Sequence, residues 1–181
     1  TGVLIPSEVD SDIVRQVKSR DADFYIQALL SRNPYDYFRS LGPQSSEYAR
    51  LLVEYQKLSE IIRNGGWSNI ATDRILRFGD SGDDVVAIRN RLFDQGYMPN
   101  SISTKFDKKL LKAVQKYQSD HGLIPDGIIG AGTILELNIT AEQRLSSIIV
   151  ALERERWLGD TLGQRHIWVN LADFKAKIIE D

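Results

Sequence analysis

The side chains that could do chemistry are few and scattered. His121 and His166 stand far apart, with no ligand cluster around either. A metal site needs several convergent donors, so the two read as a helix-end and a strand-face histidine. Glu153 and Glu155 form a carboxylate pair of the kind that hydrolyses glycosides. Two positions apart on a helix, however, they point to different faces. Their alternation with Arg154 and Arg156 marks a solvated or ion-paired surface. Asp80, Asp83 and Asp84 crowd one loop but lack the ligand order and terminal Glu of a calcium hand, which leaves helix capping. Trp67, Trp157 and Trp168 could stack on sugars, although isolated tryptophans more often serve as buried anchors. Asn138-Ile139-Thr140 has the form of a glycosylation acceptor, but Thr140 is placed to cap a helix. The chain has no cysteine, so it holds no disulfide, thiolate zinc site or cysteine nucleophile. No catalytic residue, cofactor or metal ligand is assigned.

One segment concentrates turn formers: His121-Gly122-Leu123-Ile124-Pro125-Asp126-Gly127-Ile128-Ile129-Gly130. Asp126-Gly127 signals a tight turn, and Gly130 lets Ala131-Gly132-Thr133 approach closely. Two readings fit. The segment is a plain turn with Asp126 bonding nearby amides, or it is the wall of a ligand groove.

The elements that must position this segment are mainly helical. Apolar spacing predicts a helix over 8–31, carried by Ile13, Val17, Phe24, Ala28, Leu29 and Leu30 and interrupted by Asp21 and Asp23. Asn33-Pro34 ends it, and Leu41-Gly42-Pro43 breaks the chain again. A helix over 46–63 carries Tyr48, Leu51, Leu52, Tyr55, Leu58, Ile61 and Ile62 on one stripe, and Asn64-Gly65-Gly66 stops it. Trp67 should then pack back on the helices. Ser81 is placed to cap a helix with Asp83 and Asp84 near its positive end; Val85, Ile88 and Leu92 face inward and Gly96 closes it. The next helix begins near Asp107, buries Leu110, Ala113, Val114 and Tyr117, and closes at Gly122. The two match in phase: Val85 with Leu111, Ile88 with Val114, Gly96 with Gly122, Tyr97 with Leu123. That suggests two similar helix-turn units packed together. Thr140-Ala141-Glu142-Gln143 fits a capping box opening a helix with Leu145, Ile148, Ile149 and Leu152 that runs to about Trp157. Gly159 and Gly163 flank a turn. Residues 166–171 and 174–179 then alternate as two strands, which alone are marginal in water.

The 181 residues are 42% hydrophobic and 27% charged, with net charge −2. That mixture suits one domain or two small ones and argues against disorder. It gives no sign of the basic face a nucleic-acid partner demands. No apolar run reaches the roughly 20 residues of a membrane span. The first residues lack the basic and long apolar regions of a signal peptide, so a processed product or fragment is expected.

The ordered set Leu76…Gly79-Asp80-Ser81-Gly82…Val85…Ile88…Leu92…Gly96-Tyr97, then Phe106-Asp107…Ala113-Val114…Tyr117-Gln118…Gly122-Leu123…Asp126-Gly127-Ile128-Ile129-Gly130…Thr133…Leu137 resembles the peptidoglycan-binding domain family. One departure is Thr104-Lys105-Phe106, where the family often has Gly before the aromatic. The resemblance implies a three-helix module that holds cell-wall polymer, with ligand-binding roles for Gln118, Asp126 and Gly127. The flanks are similar to another family. Tyr48…Leu51…Tyr55 with Gly65-Gly66-Trp67 upstream, and Glu153-Arg154-Glu155-Arg156-Trp157-Leu158 running into Ile167-Trp168-Val169-Asn170-Leu171…Phe174 downstream, resemble large bacterial L,D-transpeptidases.

That resemblance implies a division into a helical scaffold region (1–72), a peptidoglycan-binding domain (73–139), and a linker helix with the first strands of a truncated catalytic domain (140–181). L,D-transpeptidases join peptide stems through a thiolate that attacks an amide and an amine that resolves the thioester. The cysteine-bearing segment would lie after Asp181, so this polypeptide is expected to be inactive and to bind and position peptidoglycan non-covalently. The expected setting is periplasmic or wall-facing, with other cell-wall synthesis proteins as further partners. A non-enzymatic scaffold docking a partner synthase, and the binding module of a wall hydrolase, are the competing readings.

Overall fold

A computed structural model describes residues 4–14, 21–158, 165–170 and 174–180. Among them lie eight helices and one two-stranded hairpin: α1 (Pro6–Val9), α2 (Ala22–Ser31), α3 (Pro34–Ser40), α4 (Ser46–Arg63), α5 (Asp83–Asp94), α6 (Lys108–Asp120), α7 (Ala131–Leu137), α8 (Ala141–Leu158), β1 (Arg165–Asn170) and β2 (Lys175–Glu180). The mainly α class with a C-terminal hairpin is as the sequence implies. The chain divides into two units, residues 1–57 with 145–181, and residues 58–144.

In the first unit, the expected long helix over 8–31 is instead α1 followed by α2. Asp21, expected to interrupt, is a cap: its carboxylate accepts Phe24 N–H at 2.8 Å. Val17 lies outside the described residues. Asn33 both ends α2's segment and opens α3, accepting from Tyr35 and Asp36 N–H with Pro34 at the first helical position. Ser45 Oγ accepts Tyr48 N–H at 3.0 Å and starts α4. On α8, Glu153 is buried rather than solvated. It accepts Leu4 N–H at 2.8 Å and Trp157 Nε1–H at 3.0 Å, and pairs with Arg156 at 3.2 Å. Glu155 turns elsewhere, to Ser45 Oγ at 2.9 Å. The two glutamates therefore have separate structural partners and form no catalytic pair. β1 and β2 run antiparallel, Arg165 opposite Glu180 and Asn170 opposite Lys175. Phe174, at φ 48°, precedes β2. The Gly159/Gly163 turn and Leu171 lie outside the described residues.

The second unit is built on a core of Leu76, Val85, Ile88, Leu92, Phe106, Leu110, Val114, Tyr117, Ile129 and Leu137, all almost fully buried. Leu76 and Ile129 exchange backbone hydrogen bonds at 3.0 and 2.8 Å, tying the segment before α5 to the loop before α7. Ser81 is not the cap of α5. That position is Gly82, without a side-chain cap bond, and Ser81 bridges to Lys105 instead. Two buried arginines fix the connection between helices. Arg89 donates to Lys105 O at 2.6 Å and pairs with Asp107 at 2.9 Å; Arg91 bonds Ser68 O and lies over the Trp67 ring at 5.4 Å. Asn138 makes a reciprocal pair with the Ile70 backbone, 2.9 Å each way. The capping box at the start of α8 is formed: Thr140 N–H donates to Gln143 Oε1 at 3.0 Å and Gln143 N–H to Thr140 Oγ1 at 3.3 Å.

Candidate functional site

The internal likeness of α5 and α6 extends to their ends. Gly96 (φ 79°) and Gly122 (φ 70°) both take the left-handed conformation. Tyr97 N–H bonds Leu92 O and Leu123 N–H bonds Gln118 O, each at 2.8 Å. The two helices thus close in the same way, and Gln118 stands where α5 has the core residue Leu92. Gln118 is 2% exposed. A buried amide must find partners, and this one finds them in the loop that follows. Its Nε2 lies 2.9 Å from Ile128 O, 3.1 Å from Asp126 Oδ1 and 3.2 Å from Thr133 Oγ1. Its Oε1 accepts Gly127 N–H at 2.9 Å. Asp126 Oδ1 also accepts Ile128 N–H at 2.8 Å.

The three residues that the family resemblance singles out are therefore joined in one network. Gln118 sits beneath, with its polar atoms engaged. Gly127 is buried at φ 75°, and a Cβ there would overlap Leu111 Cδ1 and come within 3.2 Å of Gln115 Cγ. Asp126 is exposed, with Oδ1 held and Oδ2 unpartnered among the described residues. Ile124, 80% exposed, and Ile128, 38% exposed, stand beside it. The surface offers a fixed carboxylate oxygen between two apolar side chains. Such a surface can accept a hydrogen bond from an amide or hydroxyl and cover an apolar face; it holds no nucleophile.

His121, next along, caps the end of α6 in a closed cluster that sequence reasoning did not find. Its Nδ1 is 3.1 Å from Glu136 Oε1, which also holds Arg144 at 2.5 Å. Its Nε2 is 3.3 Å from the Tyr97 hydroxyl, and its ring lies against Tyr117 at 4.2 Å. Burial, and then the Arg144 charge, hold the imidazole below its ordinary pKa against the opposing pull of Glu136. Burial also pushes Tyr97 and Tyr117 up to about 12. His121 Nδ1 faces the Glu136 carboxylate and Nε2 faces the Tyr97 hydroxyl, which Asp120 also engages, so each group serves the packing. Asp80 accepts Arg77 N–H at 2.8 Å and Asp84 pairs with Arg74 at 3.3 Å. Among the described residues no group of three or more His, Cys, Asp or Glu side chains is arranged to hold a metal, and no helix is long and apolar enough to cross a membrane.

Residues 81–137 match the family model described as putative peptidoglycan binding domain. That span contains α5, α6, α7 and the 121–130 loop. A relative from Kitasatospora aureofaciens, described as an uncharacterized protein in the bpoA1 3′ region, is 39% identical over 80 residues, 44% of this chain. The match spans 66% of that relative, just under two thirds of its length. Two solved structures are also similar. One is a peptidoglycan-binding protein from Clostridioides difficile in complex with glutamine hydroxamate, 38% identical over 38% of this chain and 43% of that one, with a TM-score of 0.36. The other is the SleB N-terminal domain, 29% identical over 36% of this chain and 90% of that one, also with a TM-score of 0.36. Residues 81–137 thus form a segment with the pattern of a peptidoglycan-binding domain, which supports peptidoglycan binding.

Proposed function

We propose that the second unit holds peptidoglycan non-covalently at the Asp126-Gly127 turn and positions it for a wall-synthesis reaction. The observation that carries this reading is the exposed, rigidly held Asp126 carboxylate within the matched span. In this reading Asp126 and the Gly127 backbone meet the polymer, and Gln118 acts from beneath by holding both in place. A fixed acceptor costs less to order on binding than a mobile one.

The finer assignment is to an L,D-transpeptidase that cross-links peptide stems, acting in the periplasm or facing the wall beside other synthesis proteins. Its support is the resemblance of the stretch 153–158 and of the β1 residues to that family. The exposed apolar residues Ile167, Val169 and Ile178 of the hairpin also suit strands that belong to a larger sheet. The three-region division at 72/73 and 139/140 belongs to the same proposal.

Co-sedimentation of the whole chain with purified peptidoglycan tests the binding reading. Retention that falls on Asp126→Ala supports it, and passage of the native chain into the supernatant refutes it. The enzyme assignment has a separate readout. Cross-linked stem dimers should form when the parent polypeptide acts on isolated peptidoglycan, and their absence would count against it.

A further inference from the structure

Helix α6 conflicts with ordinary helix electrostatics. Cations are disfavoured at a helix N-terminus, where the macrodipole is positive, yet α6 opens with Lys108 and Lys109 and has no acid in its first turn. Between 105 and 116 stand Lys105, Lys108, Lys109, Lys112 and Lys116, all exposed, against the single acid Asp107. Asp107 is already engaged: its Oδ1 accepts Lys109 and Leu110 N–H at 3.0 and 2.9 Å and pairs with Arg89 at 2.9 Å. Lys116 is held by Asp120. Lys105, Lys108, Lys109 and Lys112 have no ion-pair partner among the described residues. The chain as a whole has a net charge of −2, so this is a local concentration of positive charge. A feature that works against its own helix without an internal partner points to function rather than stability.

The position of the row identifies what it serves. Residues three and four apart are neighbours on a helix, which places Lys108 and Lys112 on the side of α6 next to Leu111 and Gln115. Those are the side chains that meet Gly127 of the turn. Lys108 and Lys112 therefore border the surface assigned above to peptidoglycan, whose peptide stems carry free carboxylates.

We propose that Lys108 and Lys112 bind the free carboxylates of peptidoglycan peptide stems, while the Asp126 turn meets uncharged parts of the same polymer. This rests on the peptidoglycan reading above. The lysines confer preference for stems whose carboxylates are free over stems in which they are amidated.

The test compares the full chain with its K108Q/K112Q variant. The probe is purified peptidoglycan stripped of attached polymers, either native or with its carboxylates amidated by carbodiimide and ammonia. Glutamine keeps a high helix propensity, and the methyl NMR signals of Ile88 and Val114 report the variant's folding. Amidating the polymer tests the same contact with no substitution. An exposed ion pair changes affinity by at most about fivefold, so the two together predict a loss of roughly tenfold. That loss should appear in the variant on native polymer and in the native chain on amidated polymer, and should not be compounded when both changes are combined. Equal retention of both proteins on both polymers would overturn the lysine assignment while leaving peptidoglycan binding intact. Loss on substitution without loss on amidation would overturn the carboxylate as the occupant. Failure of the native chain to bind native polymer would remove both readings.

Discussion

Replacing Gln118 by Leu puts two forces in direct opposition. Leucine is what the matching position of the first helix-turn unit carries, and Leu92 there is fully buried. On apolar area alone the change should stabilise. Gln118, however, supplies the acceptor for Gly127 N–H and donors for Ile128 O and Asp126 Oδ1. Asp126 and Ile128 are exposed enough to turn to water, but Gly127 is buried. One orphaned buried amide costs about 1–3 kcal/mol. Replacing an amide by a branched apolar group of similar size in a close-packed site returns about 1 kcal/mol at most, since the turn packed over it was shaped to the amide. A net loss of about 1–2 kcal/mol is expected for Gln118→Leu. Urea unfolding followed by the methyl NMR signals of Ile88 and Val114 confines the measurement to the second unit, and amide exchange at Gly127 and Ile128 should accelerate more than unfolding alone requires. A variant as stable as the native chain, with Gly127 exchange unchanged, would refute the claim that this amide holds the turn.

Gly127→Ala should cost about 2–5 kcal/mol by the same unfolding measurement, because a left-handed non-glycine residue costs about 1–2 kcal/mol and overlap with Leu111 adds about 1–3 kcal/mol. A cost below about 0.5 kcal/mol would show that the turn adapts freely. His121 makes the second unit pH-sensitive. Its folded pKa is depressed, so the unfolded chain binds the proton more readily and stability is full above the ordinary histidine pKa of about 6.5. It should fall as the pH drops below that value. Stability measured between about pH 8 and pH 5 should show this slope in the native chain and a shallower one in His121→Gln; identical slopes would mean that the imidazole is not penalised by folding.

Much of this architecture was legible because it rests on local chemistry. The α4 boundaries followed from one apolar stripe and a Gly-Gly stop, and the Thr140–Gln143 box from two side chains that can each reach the other's amide. The repeat of α5 and α6 was visible in four in-phase pairs and is realised in their common closure. Misreadings came where a residue had two possible uses. Asp21 seemed to interrupt a helix and instead caps one. Ser81 had the chemistry of a cap, but backbone pairing with Lys105 claims it and leaves Gly82 at the helix start. Glu153 was expected on a solvated or ion-paired face; its ion pair with Arg156 forms, but the side chain is buried, because its partner Leu4 comes from a position no local window connects. The His121 cluster was hidden for the same reason: Tyr97, Glu136 and Arg144 converge on it only through the packing of the second unit. A signal for Gln118 did exist, since a polar residue in phase with Leu92 on a buried stripe must have partners.

The most direct test of the binding site is titration of the isotope-labelled chain with soluble peptidoglycan fragments, followed by amide NMR. Binding at the proposed surface predicts saturable shifts centred on Asp126, Gly127 and Ile128 and extending to Lys108 and Lys112, with the hairpin amides of β1 and β2 unmoved. Saturable shifts confined to other surfaces, or none at concentrations where sedimentation shows binding, would contradict it.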